Sequence, residues 1–328
     1  MSQRPYGTPV PPSLSPTLTA VRTAAPLGKS ALRRYANPAV ASRSKVSLST
    51  LLARKREGRK IPVLTCYDYS TARIMEQAEV EAILVGDTYG EVCLGHATTL
   101  PVTVDHLVTV TEAVRRGAPN AFLIGDMPYL SYQVSPADAI RNAGKFMAGA
   151  GCDCVKVEVD RRLAPTVEAM TAATIPVMAH LGLKPQSIHR LGGYKAQGKR
   201  ADDAVRIIED ARILESAGAV ALLLEAVPME VARIITESTS LPVIGCVAGP
   251  YCDGTVVVLH DMLGYHAGHP PASVKRYANL NETLSQAFAH YVEDVSSGRF
   301  PDESNAITMK KAELDKLRAS LPHRNDQP

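Results

Sequence analysis

The sequence predicts a single (β/α)8 TIM barrel, an α/β fold, and three observations carry that prediction. From Ile61 onward, eight short apolar runs alternate with longer amphipathic stretches, the order expected of parallel strands joined by crossover helices. The runs are continuously apolar rather than alternating, as strands buried on both faces must be. No G-x-G-x-x-G turn follows the first run, which argues against an open dinucleotide-binding sheet, and eight units favour closure.

Taken in order, the strand candidates are residues 62–66, 82–86, 121–125, 154–157, 175–179, 220–224, 242–246 and 255–259. Between them, helices are expected over residues 70–77, 104–116, 136–148, 162–172, 202–217 and 228–238. Ser, Asp or Pro stands near many of their starts, where it caps or pre-sets a first turn. A further helical period runs through residues 284–295. The domain reading is a flexible extension over 1–44, the barrel over 45–300 and a polar tail over 301–328.

Composition excludes several classes. Hydrophobic residues at 45% and charged residues at 21% match a globular chain, and no apolar run approaches the roughly 18 residues of a spanning helix. The first 56 residues hold ten Lys or Arg and no acid, and subtracting those ten from the net +3 leaves −7 for the rest. No basic surface for nucleic acid is therefore expected, and no membrane partner either. The acid-free N-terminal segment shares its composition with organellar transit peptides, while its prolines oppose a targeting helix. A cytoplasmic setting is expected, with the mitochondrion as the alternative. The six cysteines lack C-x-x-C spacing and read as thiols of a reducing compartment. Cys152 and Cys154 are expected on one strand face.

Four acids end four apolar runs: Asp87, Asp126, Glu158 and Glu225. In a parallel barrel all four project at the C-terminal mouth, where barrel enzymes keep their reacting groups. One such acid is ordinarily a helix cap. Four at one rim repel one another unless a cation or a proton relieves them. Carboxylates without a His or Cys cluster suit a hard ion, Mg2+ above all, whose remaining positions a 2-oxo acid can fill. Such an ion polarises the keto group and stabilises an enolate. Glu225, before Ala-Val-Pro on the sixth strand, is the candidate base, and apolar surroundings should raise its pKa. Lys156 precedes Glu158 by two and shares its face. It either holds a substrate carboxylate or forms a buried ion pair. His180 closes the fifth run and is expected to bond substrate or donor rather than react. His260, His266 and His269 are read as exposed turn residues.

These residues sit in segments that resemble ketopantoate hydroxymethyltransferase from about residue 61 to 301: LTCYDYSTARI, ILVGDTYG, GDMPYLSY, VKVE, IPVMAHLGLKPQS, LGGYKAQGK, LLLEAVP and DGTVVVLHDMLG. The resemblance implies a barrel of the phosphoenolpyruvate mutase/isocitrate lyase type. It implies transfer of a hydroxymethyl group from 5,10-methylenetetrahydrofolate to 3-methyl-2-oxobutanoate, in pantothenate biosynthesis. Carried over residue by residue, it implies metal binding by Asp87, Asp126 and Glu158, with Glu158 acting through water. Substrate binding falls to Asp87, Thr88, Asp126, Lys156 and His180, and Glu225 is the general base. A homodecamer is also implied.

The sequence departs from that pattern at several points. Thr88 stands for a usual Ser, and Ala97 for an Asp. Val159-Asp160 replaces Gly-Gly and should restrict the backbone. Val247 sits in the segment Gly245 to Gly249 where the family has Gly, and Pro270-Pro271-Ala272-Ser273 replaces P-K-F. Alternative readings are a paralogue acting on another 2-oxo acid, a Mg-dependent C–C lyase of the same barrel superfamily, and a non-enzymatic scaffold whose acids only cap helices. The K-K-C-G-H loop that isocitrate lyase-type enzymes use does not occur.

Overall fold

A computed structural model describes residues 43–266 and 274–321. Eight parallel strands close into a barrel in sequence order. They are β1 (Ile61–Thr65), β2 (Ala82–Val85), β3 (Phe122–Asp126), β4 (Cys154–Glu158), β5 (Val177–Gly182), β6 (Ala221–Glu225), β7 (Val243–Cys246) and β8 (Gly254–Val257). β8 returns to β1 through Ile61↔Gly254 and Val63↔Val256. Each predicted run overlaps its strand, displaced by one to three residues where it differs, the largest at the end of β5.

The crossover helices start as the sequence signals. Asp68, Thr103 and Ser135 each accept a backbone N–H three residues on, satisfying donors that the first turn leaves open. The helix Pro136–Gly144 continues into a π-helical turn, Lys145–Gly149. The helix Leu48–Arg56, which the sequence reading did not place, packs Leu51 with Val46 against the inward side chains of the barrel's lower half. Arg43, just ahead of the expected barrel start, already pairs with the buried Glu76 at 3.0 Å.

Two apolar layers follow from strand alternation. Inside the barrel lie Ile61, Leu84, Phe122, Ile124, Met178 and Leu223 among others. Between strands and helices lies a larger layer that includes Val85, Leu107, Phe146, Val155 and Leu222. Cys154 belongs to the first and Cys152 to the second. They do not share a face, because β4 begins only at Cys154 and Cys152 lies in the preceding turn.

The described residues fall into two compact units divided at Phe288, inside the helix Leu280–Ser296. The C-terminal unit contains the helix Lys311–Ser320 and an internal ion pair of Arg299 with Asp294. Among the described residues no helix is long and apolar enough to cross a membrane. Of the expected flexible extension over 1–44, residues 1–42 lie outside the described residues, as does the departure at Pro270 to Ser273.

Candidate active site

Following the inward positions of each strand upward, the barrel interior changes character. Beneath are Leu84, Ile124, Cys154, Met178 and Leu223. Two residues further on stand Gly86, Asp126, Lys156, His180 and Glu225. These line a cavity of about 80 Å3 at the C-terminal mouth, with Thr65, Asp87, Thr88, Cys246 and Val258. One water needs about 10–15 Å3 on this measure. Each further water takes about 30 Å3, so the cavity holds roughly three, the scale of a small oxo acid rather than a nucleotide.

Lys156 Nζ reaches both oxygens of Asp126, at 2.7 and 2.8 Å, fully buried. The ion-pair reading of Lys156 is thus realised. Asp87 has left the strand alternation at Gly86, and its backbone N–H donates to Asp126 Oδ2 at 3.0 Å. Thr88 Oγ1 is bonded to Tyr67 OH at 2.6 Å. Glu225 sits at the end of β6, where Gly182 lies opposite in register. A Cβ on Gly182 would stand 2.2 Å from the Glu225 carbonyl, so only glycine lets β5 approach this closely.

His180 Nε2 lies 3.3 Å from Glu225 Oε2, and its Nδ1 lies 3.9 Å from Glu158 Oε1. Both ring nitrogens and Glu158 Oε1 are buried without a hydrogen-bond partner. Glu158 Oε2 accepts instead from the backbone of Gln186 at 3.0 Å. Glu158 lines an outer groove rather than the central cavity.

Burial sets the protonation states. It pushes Glu225 up to about 7, against a weaker pull from Lys156. It drives Asp126 and Glu158 upward, with Lys156 opposing in both cases. It also holds His180 well below the usual imidazole value, helped by the Lys156 charge, so the ring is neutral. For Lys156 itself burial favours the neutral amine, but Asp126, Asp87 and Glu158 outweigh it and keep the ammonium. The Cys246 thiol, raised by burial and by Glu225, is not a nucleophile.

A sequence model of ketopantoate hydroxymethyltransferase matches residues 45–303. The chain belongs to the ketopantoate hydroxymethyltransferase family. Two proteins named 3-methyl-2-oxobutanoate hydroxymethyltransferase are similar to it. One, from Thermoanaerobacter sp. (strain X514), is 47% identical over 82% of this chain and 98% of that protein. The other, from Syntrophomonas wolfei, is 46% identical over 84% and 99%. Among solved structures, phosphonopyruvate hydrolase aligns with a TM-score of 0.53 at 13% identity, over 84% of this chain and 95% of that one. The lyase for 2,3-dimethylmalate, a PEP mutase/isocitrate lyase superfamily member, gives 0.50 at 16%, over 85% and 96%. At such identities the likeness is one of fold: the chain shares the closed parallel barrel with these structures. Its family makes it a transferase enzyme.

Three departures from the family pattern, Val159, Asp160 and Val247, have structural accounts. Val159 donates its N–H to the His180 carbonyl at 3.1 Å, continuing the β4 ladder. Asp160, at φ −146° and ψ −175°, is extended. Any residue adopts that backbone, so the expected restriction is not felt. Asp160 pairs with both Arg162 and Lys184. Val247 does carry a cost, since it sits at φ 53° with 46% of its surface exposed, a conformation that β-branched residues avoid. No contact of Ala97 explains its exchange.

Around the site, His260 and Gln186 escaped the sequence reading. His260 is not exposed: it lies in the helix Leu259–Leu263, buried, 5.2 Å from the ring of Tyr265 and 5.5 Å from Tyr67. His266 keeps 11% of its side-chain surface, and His269 lies outside the described residues. The Gly264 left-handed C-cap was the available signal for that helix. Gln186, buried among the acids, had no signal in spacing or composition.

Asp87 and Asp126 are the residues that would hold Mg2+. Among the described residues no three His, Cys, Asp or Glu side chains form a ready cluster. Mg2+ does not require one, because it binds through one or two carboxylates and fills its octahedron with water and substrate. Asp87 and Asp126 supply that pair. Glu158 Oε1 is buried without a hydrogen-bond partner, and the acids share Lys156 as a neighbouring cation that opposes the upward push of burial on Asp126 and Glu158. The donor set fits, with Glu158 set back from the pair.

Proposed function

We propose that this chain transfers a hydroxymethyl group from 5,10-methylenetetrahydrofolate to 3-methyl-2-oxobutanoate, forming 2-dehydropantoate on the route to pantothenate. The observation that carries the reading is Glu225, a carboxylate raised to about 7 by burial. It lines one small cavity with Asp87, Asp126 and Lys156.

Asp87 and Asp126 would hold Mg2+, and the bound ion supplies Lewis-acid polarisation of the keto group. Glu225 takes the proton from C3, and a base with a pKa near 7 is matched to that task at neutral pH. Lys156 offers its ammonium to the substrate carboxylate while it steadies Asp126, and the Thr88 hydroxyl adds a polar contact. Neutral His180, at 3.3 Å from Glu225, can donate a hydrogen bond to the developing charge or to the Glu225 carboxylate without adding a proton of its own. Water opens the donor's methylene bridge, both C–N bonds breaking as its two hydrogens pass to the nitrogens of the departing tetrahydrofolate. The C3 carbanion equivalent adds to the formaldehyde-level carbon released, and the proton held by Glu225 returns to the new alkoxide as the hydroxymethyl group's hydrogen.

The cavity is too small for the donor. A separate groove of about 440 Å3, bounded by Arg161, Arg162, Lys184, Arg190 and Arg206 against Asp160, Asp203 and Asp210, keeps an excess of positive charge and suits an elongated molecule whose tail ends in carboxylates. A homodecamer and a cytoplasmic setting go with this reading, and sedimentation and cell fractionation check them. The direct test is incubation of purified protein with Mg2+, the oxo acid and the folate. Formation of 2-dehydropantoate is expected, and its absence with Mg2+ and both substrates present rejects the assignment.

A further inference from the structure

The amide of Gln186 holds the site together in a way that no catalytic role accounts for. Gln186 lies in the one-turn helix Pro185–Ser187 that follows β5 and is 5% exposed. Its side chain has two donor hydrogens and two acceptor positions, and all four are used. Nε2 donates to Asp87 Oδ2 and to the Met127 carbonyl, both at 3.0 Å. Oε1 accepts from Tyr132 OH at 2.8 Å and from Gln133 Nε2 at 3.1 Å. Its backbone N–H donates to Glu158 Oε2 at 3.0 Å.

The orientation of the amide is forced. Turned over, its oxygen would face the Met127 carbonyl and the Asp87 carboxylate, while its NH2 would face that of Gln133. Tyr132 OH is fixed in turn, because it accepts from the Glu158 backbone at 2.9 Å. One side chain thus ties together the ends of β2 and β3 and, through Tyr132, reaches the end of β4.

Two acids of the mouth are held in different ways. Asp126 is gripped on both oxygens by an ammonium. Asp87 meets on Oδ2 a neutral donor, which orients the carboxylate without cancelling its charge. A cation at Asp87 would be repelled by a lysine in that place and tolerates an amide.

We infer that Gln186 is a positioning residue for the divalent-cation site, aiming the Asp87 carboxylate through its side chain and the Glu158 carboxylate through its backbone. The inference rests on the proposed reading of Asp87 as a metal ligand. Partners of this kind around ligands change metal affinity by about 10- to 100-fold when removed.

The experiment is calorimetric titration of the full chain with Mg2+ alone, for the wild type, Gln186→Met and Tyr132→Phe. Circular dichroism confirms that each variant is folded. Gln186→Met should bind Mg2+ about 10- to 100-fold more weakly. Its half-saturating Mg2+ in the assay should rise in parallel, with kcat at saturating Mg2+ little changed. Tyr132→Phe, which frees the Gln186 amide without removing it, should weaken Mg2+ in the same direction by a smaller factor, and it carries the test if Gln186→Met does not fold. Wild-type binding with unchanged affinity in the folded variants would overturn the positioning role alone. A wild type that shows no Mg2+ binding would overturn the metal reading and this inference with it.

Discussion

The lower and upper halves of the barrel interior are built from the same strands by the same alternation, and they do opposite things. Phe122, Ile124, Met178 and Leu223 fill the lower half and are among the most buried side chains of the protein. Two residues further along the same strands, Asp126, His180 and Glu225 occupy equivalent inward positions and carry shifted pKa values. Burial that stabilises an apolar side chain destabilises a charged one. The lower layer therefore supplies the rigidity, and the upper layer spends part of it to hold carboxylates in the protonation states that chemistry uses.

The sharpest break of that comparison is Glu225→Gln. Loss of a general base should lower turnover by about 100- to 10,000-fold, measured as 2-dehydropantoate formation, with the thermal midpoint unchanged or raised. Below it in the barrel, Phe122→Ala should do the reverse. It removes a wholly buried ring and should cost about 3–5 kcal/mol in denaturant unfolding. Activity per folded molecule should survive, because no site residue is touched.

The pH profile follows from the raised value of Glu225. The base form is present above about 7, so turnover should rise roughly tenfold per unit as pH approaches that value from below and level off above it. Stability runs the other way. A carboxyl whose folded value exceeds its unfolded 4.5 favours the folded state while protonated, and that contribution is lost as pH climbs from about 4.5 through 7. Glu225→Gln should accordingly raise the thermal midpoint over wild type at pH 8 and leave it nearly equal at pH 4. A wild-type excess at pH 8 would show that the carboxylate is compensated rather than strained.

The smallest effect concerns Val247. Its positive φ stores about 1–3 kcal/mol, and Val247→Gly would recover part of it against glycine's added chain entropy of about 0.5–1 kcal/mol. A rise of about 2–4 °C in melting temperature is expected.

The strands were legible because burial on both faces forces continuous apolar runs, and the rim acids were legible because each ends such a run. The helix Leu48–Arg56 was not, since it buries only Leu51 and ends in Arg54, Lys55 and Arg56, which leaves almost no periodic signal. From its place at a run's end Glu158 read like its fellow acids, and only the resemblance set it apart as acting through water; the turn after β5 claims its Oε2 through a backbone amide. A backbone donor has no signature in sequence. Gln186 and His260 were missed for the related reason that a polar side chain's burial is decided by elements far away in the chain, 99 residues in the case of Gln186 and Asp87.

The account stands most directly on hydrogen exchange at C3 of 3-methyl-2-oxobutanoate, followed by NMR in D2O with Mg2+ and no folate. Wild type should exchange that proton, and both omission of Mg2+ and Glu225→Gln should abolish the exchange. Exchange that persists undiminished in Glu225→Gln would contradict the assignment of the base, and with it the role given to the upper half of the barrel.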